Sequence, residues 1–328
     1  MISESNDQNK SPKLYDFKFQ FLNKERENFH WEYLGKFFYS NTNFKDFSIN
    51  NSLEQFNHIV TETLNLNQFF NSTYKVKDNQ ALVVSIHHVI SSAPQSLNIS
   101  PGTAIDGLIA SNQESVFSKD YINWKSSYYY SKNKFSLGLH SNFFNNRTTL
   151  KTSLTDSNNQ LVSENFSNNN LYDISNINIH PVLVYNSEKI SFKFGLNSIY
   201  NKLYLRDVES SDQSNEIFFT PKFYAIYHFD SKKSVSLGYD FNQIAPDENQ
   251  VFSGVVQTSY KSFISNELNL EFLRTHSYNL NFKYNDYFNL RLLNVNFNYN
   301  HRPNNYFFRN TITQNINITE NFFANIGA

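Results

Sequence analysis

The chain has 328 residues, and its 28 Lys and Arg against 29 Asp and Glu give a formal net charge of −1, which excludes the basic stripe of a nucleic-acid binder. It contains no cysteine, so disulfides, Cys-ligated zinc and thiol catalysis are excluded together. Only 39% of the residues are hydrophobic, yet aromatic residues reach 17%, with 33 Phe and 21 Tyr.

The N-terminal residues 1–13 are polar, and we expect them to be disordered. They lack the apolar core of a signal peptide, and no part of the chain offers the ~18 consecutive apolar residues of a transmembrane helix. A mean hydropathy of −0.55 would suit a soluble protein, but such an average hides strands that are apolar on one face only. If the protein is exported, we expect this sequence to be a fragment or to lack its N-terminal part.

Alternation of apolar and polar residues predicts the first strands, because successive side chains of a strand point to opposite faces. In the first of them Tyr15, Phe17, Phe19 and Phe21 alternate with polar residues. The predicted strands are 14–22, 29–39, 44–50, 56–69 and 80–89. Residues 91–113 contain Pro and Gly, which predicts a long loop with one short helical turn.

The alternation resumes after this loop in two strands joined by a tight turn at 131–134. Residues 145–172 are rich in Asn, Ser and Thr and predict only weak strands, at 148–154 and 160–166. The two strands before this weak region are 120–131 and 134–144. The predicted strands after it are 173–185, 188–206, 216–230, 233–242, 250–263, 266–274, 276–285, 287–300, 305–318 and one from about Asn321. The sum is about 16 or more strands, mostly ~8–13 residues long.

These strands predict an all-β protein that forms a transmembrane antiparallel β-barrel in a single domain, 1–328. Soluble strands average about 5–6 residues, whereas a tilted membrane-spanning strand needs about 9–11. Aromatic residues gather near predicted strand ends, as at Tyr128–Tyr130 and Phe143–Phe144, where a barrel carries its interfacial girdles. Closure also removes the exposed edges that so many strands would otherwise present. Such a chain can be a fragment of a barrel of about 22 strands; a soluble or fibrous β protein is the alternative.

The clearest single pattern is the hairpin from Tyr278 to Asn300. Every second residue is apolar or aromatic, and nearly everything between is Asn or Lys. One face of the hairpin is therefore apolar and the other polar. In a barrel the apolar face contacts lipid, and the Asn-rich face lines the lumen.

No residue is predicted to be catalytic, to bind a cofactor or to ligate a metal. His87 and His88 are adjacent in a strand and point to opposite faces, so they do not share a metal. The other histidines considered show no ligand spacing, and they are His140, His180, His228, His276 and His301. Asp247-Glu248 could bind a cation at a loop tip, but a pair of loop acids is more often a solvated turn. The sequence assigns no ligand-binding residue.

Residues 217–300 resemble the barrel of a TonB-dependent outer-membrane receptor. The segment Phe218-Phe-Thr-Pro-Lys-Phe-Tyr-Ala-Ile-Tyr-His-Phe229 is followed by Val235-Ser-Leu-Gly-Tyr-Asp-Phe-Asn-Gln-Ile-Ala-Pro246. In that family, a strand that opens on Pro leads through a short turn to a Ser-Leu-x-Tyr strand, and a second Pro opens a long extracellular loop. Residues Asn266–Tyr284 resemble the return from that loop. The Asn, Tyr and Phe content is similar to that of receptors of the Bacteroidetes type.

The resemblance implies an outer-membrane barrel that binds and imports a nutrient, such as a siderophore, glycan or peptide, with the outer-membrane lipid bilayer as its surroundings. We expect the family's plug and TonB-interacting segment to be absent from this sequence, because the predicted strands begin by residue 14. Coupling to an energy-supplying inner-membrane complex is therefore expected only if a plug is supplied upstream. One alternative is a passive porin-like or structural barrel, bacterial or mitochondrial, without energy coupling. Another is an extracellular β adhesin.

Overall fold

The computed structural model describes residues 6–26, 28–50, 53–105, 108–207, 210–252, 254–259, 261–266, 269–313 and 316–326. Strands dominate this part of the chain, and its helical elements are α1 (Glu248–Val251) and one 3₁₀ turn over Glu164–Phe166. None of the helices described is long and apolar enough to cross a membrane. The strands are β1 (Asn6–Arg26), β2 (Phe29–Asn50), β3 (Leu53–Lys77), β4 (Gln80–Ile105), β5 (Leu108–Lys132), β6 (Phe135–Thr155), β7 (Asn168–Asn186), β8 (Ile190–Arg206), β9 (Ser211–His228), β10 (Lys233–Ile244), β11 (Val256–Ser259), β12 (Ser262–Asn266), β13 (Leu273–Asp286), β14 (Arg291–His301), β15 (Asn304–Ile312) and β16 (Asn317–Asn325).

Twelve of these strands form one antiparallel sheet in the order β1-β2-β3-β4-β5-β6-β7-β8-β9-β10-β13-β14. Neighbours in the sheet up to β10 are also neighbours in the sequence, so each pair is a hairpin. The other four form a second sheet, β11-β12-β16-β15, in which β12 and β16 run parallel. The predicted number of strands therefore agrees with the described part of the chain.

The strands are longer than the sequence predicts, at 21 to 26 residues from β1 to β6. The predicted loop at 91–113 is wrong for the described residues, because β4 runs through 91–105 and β5 through 108–113. Proline is tolerated in a sheet where no ladder hydrogen bond is required. Pro94 lies in a gap of the β3–β4 ladder, between the pairs Thr61↔Gln95 and Leu64↔Ser92.

Several other boundaries also differ from the predictions. Residues 6–13 belong to β1, so the expected disorder over 1–13 is wrong for them; residues 1–5 lie outside the described residues. The strands predicted at 29–39 and 44–50 are one strand. Residues 160–166 form an isolated bridge between Leu161 and Thr155 and the 3₁₀ turn rather than a strand. The strand predicted at 250–263 divides into part of α1, β11 and part of β12. At 6–13 and 40–43 a run of polar residues that includes Asn and Ser interrupts the alternation.

The two ends of the large sheet carry different connections. At one end, short turns join the strands, such as that between Lys132 and Phe135. At the other end, the connections vary in length, and the longest lies between Ile244 and Leu273. The long loop predicted to begin at Pro246 is confirmed. Pro221, expected to open a strand, instead lies inside β9.

One face of the large sheet carries a continuous band of apolar side chains, which we call the apolar band; that face is the outer face. On β6 the band covers residues 135–143, close to the 9–11 residues of a tilted membrane strand. Cross-strand register joins these side chains into rows. One row runs over eight strands through Tyr33, Phe70, Ile86, Trp124, Phe143, Ile177, Tyr200 and Ile217.

Beyond the apolar band, toward the long-loop end, the polarity of the two faces is reversed. On β7, Ile177 and Ile179 point outward and are about half exposed, whereas Tyr172 and Ile174 point inward and are buried. The outer face changes at the same level, where Arg147 Nη2 forms an ion pair with Asp173 Oδ2 at 3.0 Å. The same strands therefore have an apolar outside below this level and an apolar inside above it.

The inward apolar side chains above the band are covered by the described residues of the range 245–272, which we call the capping segment. Its residues Val251, Phe252, Leu270 and Phe272 share one core with side chains of β7, β8 and β9. Phe263 of β12 is the centre of a second core with residues of β4, β5 and β6. The second sheet lies on this second core, because Ile318 of β16 pairs with Phe263.

A candidate ligand-binding surface on the inner face

The inner face within the apolar band is polar, because the residues that alternate with the band are mostly Asn, Ser, Thr, Lys and His. The hairpin of β13 and β14 shows how the sequence builds this surface. Its outer pairs are Tyr278↔Tyr299 and Leu280↔Phe297, as the alternation predicts. On the inner side Asn279 Nδ2 donates to Asn298, and Asn281 Nδ2 donates to Asn294 Oδ1 at 2.6 Å.

Two histidines that are far apart in the sequence meet on this inner face. His140 of β6 and His180 of β7 form a directly opposed cross-strand pair, with ring centroids 5.8 Å apart. Ser127 Oγ lies 2.8 Å from His140 Nδ1, which fixes the orientation of that ring. The His180 ring lies over Gly195, where a Cβ atom would be 2.6 Å from Cε1. Glycine at 195 therefore leaves the space that the imidazole occupies.

Lysines surround the histidine pair. A concave region of about 370 Å³ is lined by Lys125, His140, His180 and Lys222 together with Asn and Ser side chains. A neighbouring region of about 410 Å³ adds Lys193 and Asp240. Lys222 Nζ forms an ion pair with Asp240 Oδ2 at 3.1 Å. Both regions fall within the usual range of ligand sites, about 300–1,000 Å³.

Aromatic rings continue the inner face between the histidine pair and the strands nearer the N-terminus. The ring centroids of His87 and Tyr121 are 5.3 Å apart, and those of Tyr121 and Phe144 are 5.4 Å apart. Phe69 lies 6.3 Å from His87. All three contacts are edge-to-face, which is a favoured geometry for aromatic pairs. The inner face thus combines amide, cationic and aromatic groups.

The capping segment is held by polar contacts as well as by its core. Gln257 N donates to Gln113 Oε1 at 2.7 Å, and Gln113 Nε2 donates to Gln257 O at 2.8 Å. The Gln113 side chain thus makes the two hydrogen bonds with the Gln257 backbone that a neighbouring strand would otherwise make. Tyr172 Oη donates to Pro246 O at 3.0 Å, and burial raises the pKa of the Tyr172 phenol well above its usual value. These contacts fix the segment against the inner face.

The structure places the sequence candidates as follows. His87 points inward and His88 outward, as predicted for adjacent strand residues. The sequence shows no ligand spacing among the remaining histidines, and the structure places two pairs of them side by side: His140 with His180 and His276 with His301, with ring centroids 5.8 Å and 6.2 Å apart. Sequence spacing could not reveal these pairs, since only the hairpin register brings them together. His228 ends β9 at the short-turn end, and its backbone N–H donates to Lys189 O.

The two loop acids have structural partners. Asp247 is the N-cap of α1 and accepts a hydrogen bond from Asn249 N. Glu248 Oε1 forms an ion pair with Lys119 Nζ at 3.1 Å. These acids form neither the cation site nor the solvated turn considered from the sequence, because Glu248 joins the capping segment to β5. Among the described residues, no group of three or more His, Asp or Glu side chains is placed to hold a metal ion.

Comparison with known proteins gives matches at the level of the structure. The chain superimposes on the copper transporter OprC with a TM-score of 0.60, at 7% identity, over 98% of this chain and 56% of that chain. It superimposes on BauA, the ferric preacinetobactin receptor from Acinetobacter baumannii, with a TM-score of 0.50, at 9% identity, over 97% and 57% of the two chains. No protein-family profile and no curated sequence matches the chain.

The fold is therefore that of an outer-membrane receptor β-barrel. The predicted fold class is confirmed, and so is the resemblance to the barrel part of TonB-dependent receptors at the level of the fold. The chain spans just over half the length of the two structures that it matches. By their descriptions, the first of these proteins is a transporter and the second is a receptor, and neither is an enzyme.

Proposed function

We propose that the chain is the barrel part of an outer-membrane receptor that takes up a nutrient ligand, without a catalytic role. The observation that carries this proposal is the reversal of polarity along the strands. An apolar outer band of about nine residues over a polar inner face suits a strand that crosses lipid beside an aqueous lumen. An apolar inner face covered by a folded segment, above the band, suits a domain that stands in water outside the membrane.

The capping segment favours a receptor over a passive pore. A pore requires an open path along its lumen, whereas residues 245–272 fold against the inner face and are held there by two apolar cores. A receptor needs such segments, because ligand sites are built where mobile loops meet a rigid scaffold. The lipid bilayer and an unidentified nutrient are the partners of this function. Energy coupling through an inner-membrane complex would need a plug.

Fractionation and reconstitution test the proposal together. The chain should appear in the outer-membrane fraction, require detergent for extraction and migrate differently on gels before and after heating. Reconstituted into liposomes, it should allow only slow swelling in arabinose, and deletion of residues 245–272 should accelerate the swelling. Solubility without detergent would contradict a membrane barrel. Fast swelling with the unaltered chain would show that the chain forms a passive pore rather than a receptor.

A further inference from the structure

We propose that the inner face binds the oxyanion of a small solute, a carboxylate or a phosphate, at a cluster formed by Lys125, His140, His180, Lys193 and Lys222. We call this set the imidazole–lysine cluster. The proposal rests on the proposed receptor function for its biological meaning and deepens it, because it names the charge of the ligand. The binding itself is a property of the wall and can be measured without transport.

Charge distribution is the first argument. Within the apolar band, the inward positions of β5 to β9 carry Lys125, Lys193 and Lys222, and the inward acid described there is Glu216 of β9, six residues from Lys222 and at the level of Asn176. The nearest inward acid is Asp240 on β10, which is paired with Lys222. Among the described residues, neither Lys125 nor Lys193 has an ion-pair partner. Two cations on this wall thus remain uncompensated.

The shape of the wall is the second argument. The region of about 370 Å³ gathers cluster residues from four strands, and among the described residues no carboxylate lines it. The His140 ring is oriented by Ser127, and its Nε2 lies over Gly138, where a Cβ atom would be 2.9 Å away. When the Ser127 hydroxyl donates to Nδ1, Nε2 carries the proton and is a donor. A volume of this size suits a small solute rather than a folded polypeptide.

The surroundings strengthen the attraction. The same strands present the apolar band on their outer face, so the cluster has a low-dielectric wall behind it. Charges of one sign that line such a wall focus their field into the concave region and raise the local concentration of counter-ions. Lysine acts as a point charge and lacks the planar fork of arginine. The cluster therefore selects for charge more than for one oxyanion geometry.

The test uses the full chain purified in detergent and isothermal titration calorimetry. The probes are inorganic phosphate, tricarballylate, the uncharged triamide of tricarballylate and a peptide of eight glutamates. The variant Lys125→Gln/Lys193→Gln removes the two uncompensated cations. The matched control is Lys151→Gln/Lys202→Gln, because these lysines lie on β6 and β8 but point to the exposed outer face.

We expect phosphate or tricarballylate to bind and the triamide not to bind, and the stronger oxyanion identifies the ligand chemistry. The cluster variant should weaken that binding about tenfold or more, which corresponds to at least about 1.4 kcal/mol, because two charged hydrogen-bond donors are lost. The control variant should stay within about twofold. With the unaltered chain, added NaCl should also weaken the binding, which keeps the test valid if a variant fails to fold.

Three results would overturn the proposal. They are the absence of saturable binding of either oxyanion, equal binding by the cluster and control variants, and binding of the glutamate peptide alone, which would assign the cluster to a polypeptide. Failure of the receptor function would appear instead in the fractionation and swelling experiments. The two failures are therefore distinguishable.

Discussion

The same strands run through two regions that differ in which face is apolar. Within the apolar band, Ile177 and Ile179 of β7 point outward and Asn176 and Asn178 point inward. A few residues nearer the long-loop end, the apolar side chains are the inward ones. Alternation with a period of two continues through both regions, and only its phase changes.

The difference shows that the phase of the alternation reports the solvent on each side of a strand. In the band the protein has lipid outside, and its polar groups collect on the inner face. Beyond the band, water is outside, so the apolar side chains turn inward and need a cover. The capping segment supplies that cover, as an ordinary hydrophobic core does in a soluble domain.

Loss of a large side chain under the capping segment should have the largest effect. Phe272 is 2% exposed, and its ring lies 4.6 Å from that of Phe218 in an edge-to-face contact. Phe272→Ala should cost about 3–5 kcal/mol in the folding of the capped region. Urea unfolding together with protease sensitivity of residues 245–272 measures this. Phe308→Ala, on an exposed ring of β15, is the matched control and should change little.

A charge on the outer face should have the next largest effect. Ile86 lies near the middle of the band on β4, between Phe70 and Trp124. Ile86→Arg should cost about 2–4 kcal/mol, because arginine must be moved into hydrocarbon. The neighbouring Ser85→Arg, which points inward, should cost less than about 1 kcal/mol. Unfolding in lipid vesicles measures both, and equal costs would remove the difference between the two faces.

A smaller effect is expected at a polar anchor of the capping segment. Gln113 is nearly buried, and its side chain makes two hydrogen bonds with the backbone of Gln257. Gln113→Ala should cost about 1–3 kcal/mol, because the Gln257 backbone loses its partners. Hydrogen exchange at the Gln257 amide should rise. Glu114→Ala, at the next and exposed position, provides the control, and a similar rise there would contradict the anchoring role.

The smallest effect is expected at the short-turn end, below the band. Hydrogen bonds from Lys232 Nζ and Asn289 Nδ2, both at 2.9 Å, hold the pKa of the Asp286 carboxyl below its usual value. A lowered folded-state pKa stabilises the fold above the unfolded pKa, near 3.9, and this contribution is lost as the pH falls through the folded pKa. Asp286→Asn should therefore be less stable than the unaltered chain at pH 7.

The pH dependence distinguishes this role from simple packing. The difference in urea midpoint between the two proteins should narrow as the pH is lowered below about 4. Asp230→Asn gives a comparison at the exposed turn between β9 and β10, where Asp230 Oδ1 accepts a hydrogen bond from the backbone N–H of Lys232. A difference that stays constant from pH 7 to pH 3 would show that the charge of Asp286 is not responsible.

The sequence predicted the fold well wherever the alternation was strong. The hairpin from Tyr278 to Asn300 has its aromatic and aliphatic residues on one face and its Asn residues on the other, as the alternation predicts. Prediction failed where the phase of the alternation reverses and where Pro or Gly interrupts it. The loop predicted at 91–113 is an example, because only the partner strands show that Pro94 falls in a gap of the ladder.

The candidate site was less accessible to prediction than the fold. His140 and His180 are 40 positions apart in the numbering, and the register of β6 and β7 alone makes them neighbours. Lys125, Lys193 and Lys222 look like ordinary polar residues of alternating strands. One signal was present for two of them: Lys125 and Lys193 occupy the polar phase of strands that carry no acid in that phase. Recognising this signal requires knowledge of the phase of the alternation in each strand relative to that in its neighbours.

The reversal of polarity along the strands can be tested directly by site-specific labelling, because the chain contains no cysteine. Single cysteines placed at each position from 172 to 183 of β7 can carry a nitroxide label in lipid vesicles. Residues 177, 179 and 183 should be accessible to oxygen, and 176 and 178 to a water-soluble nickel reagent. At 173 and 175 the label should be accessible to nickel, and at 172 and 174 it should be shielded from both. An alternation that keeps one phase along the whole strand would contradict the account.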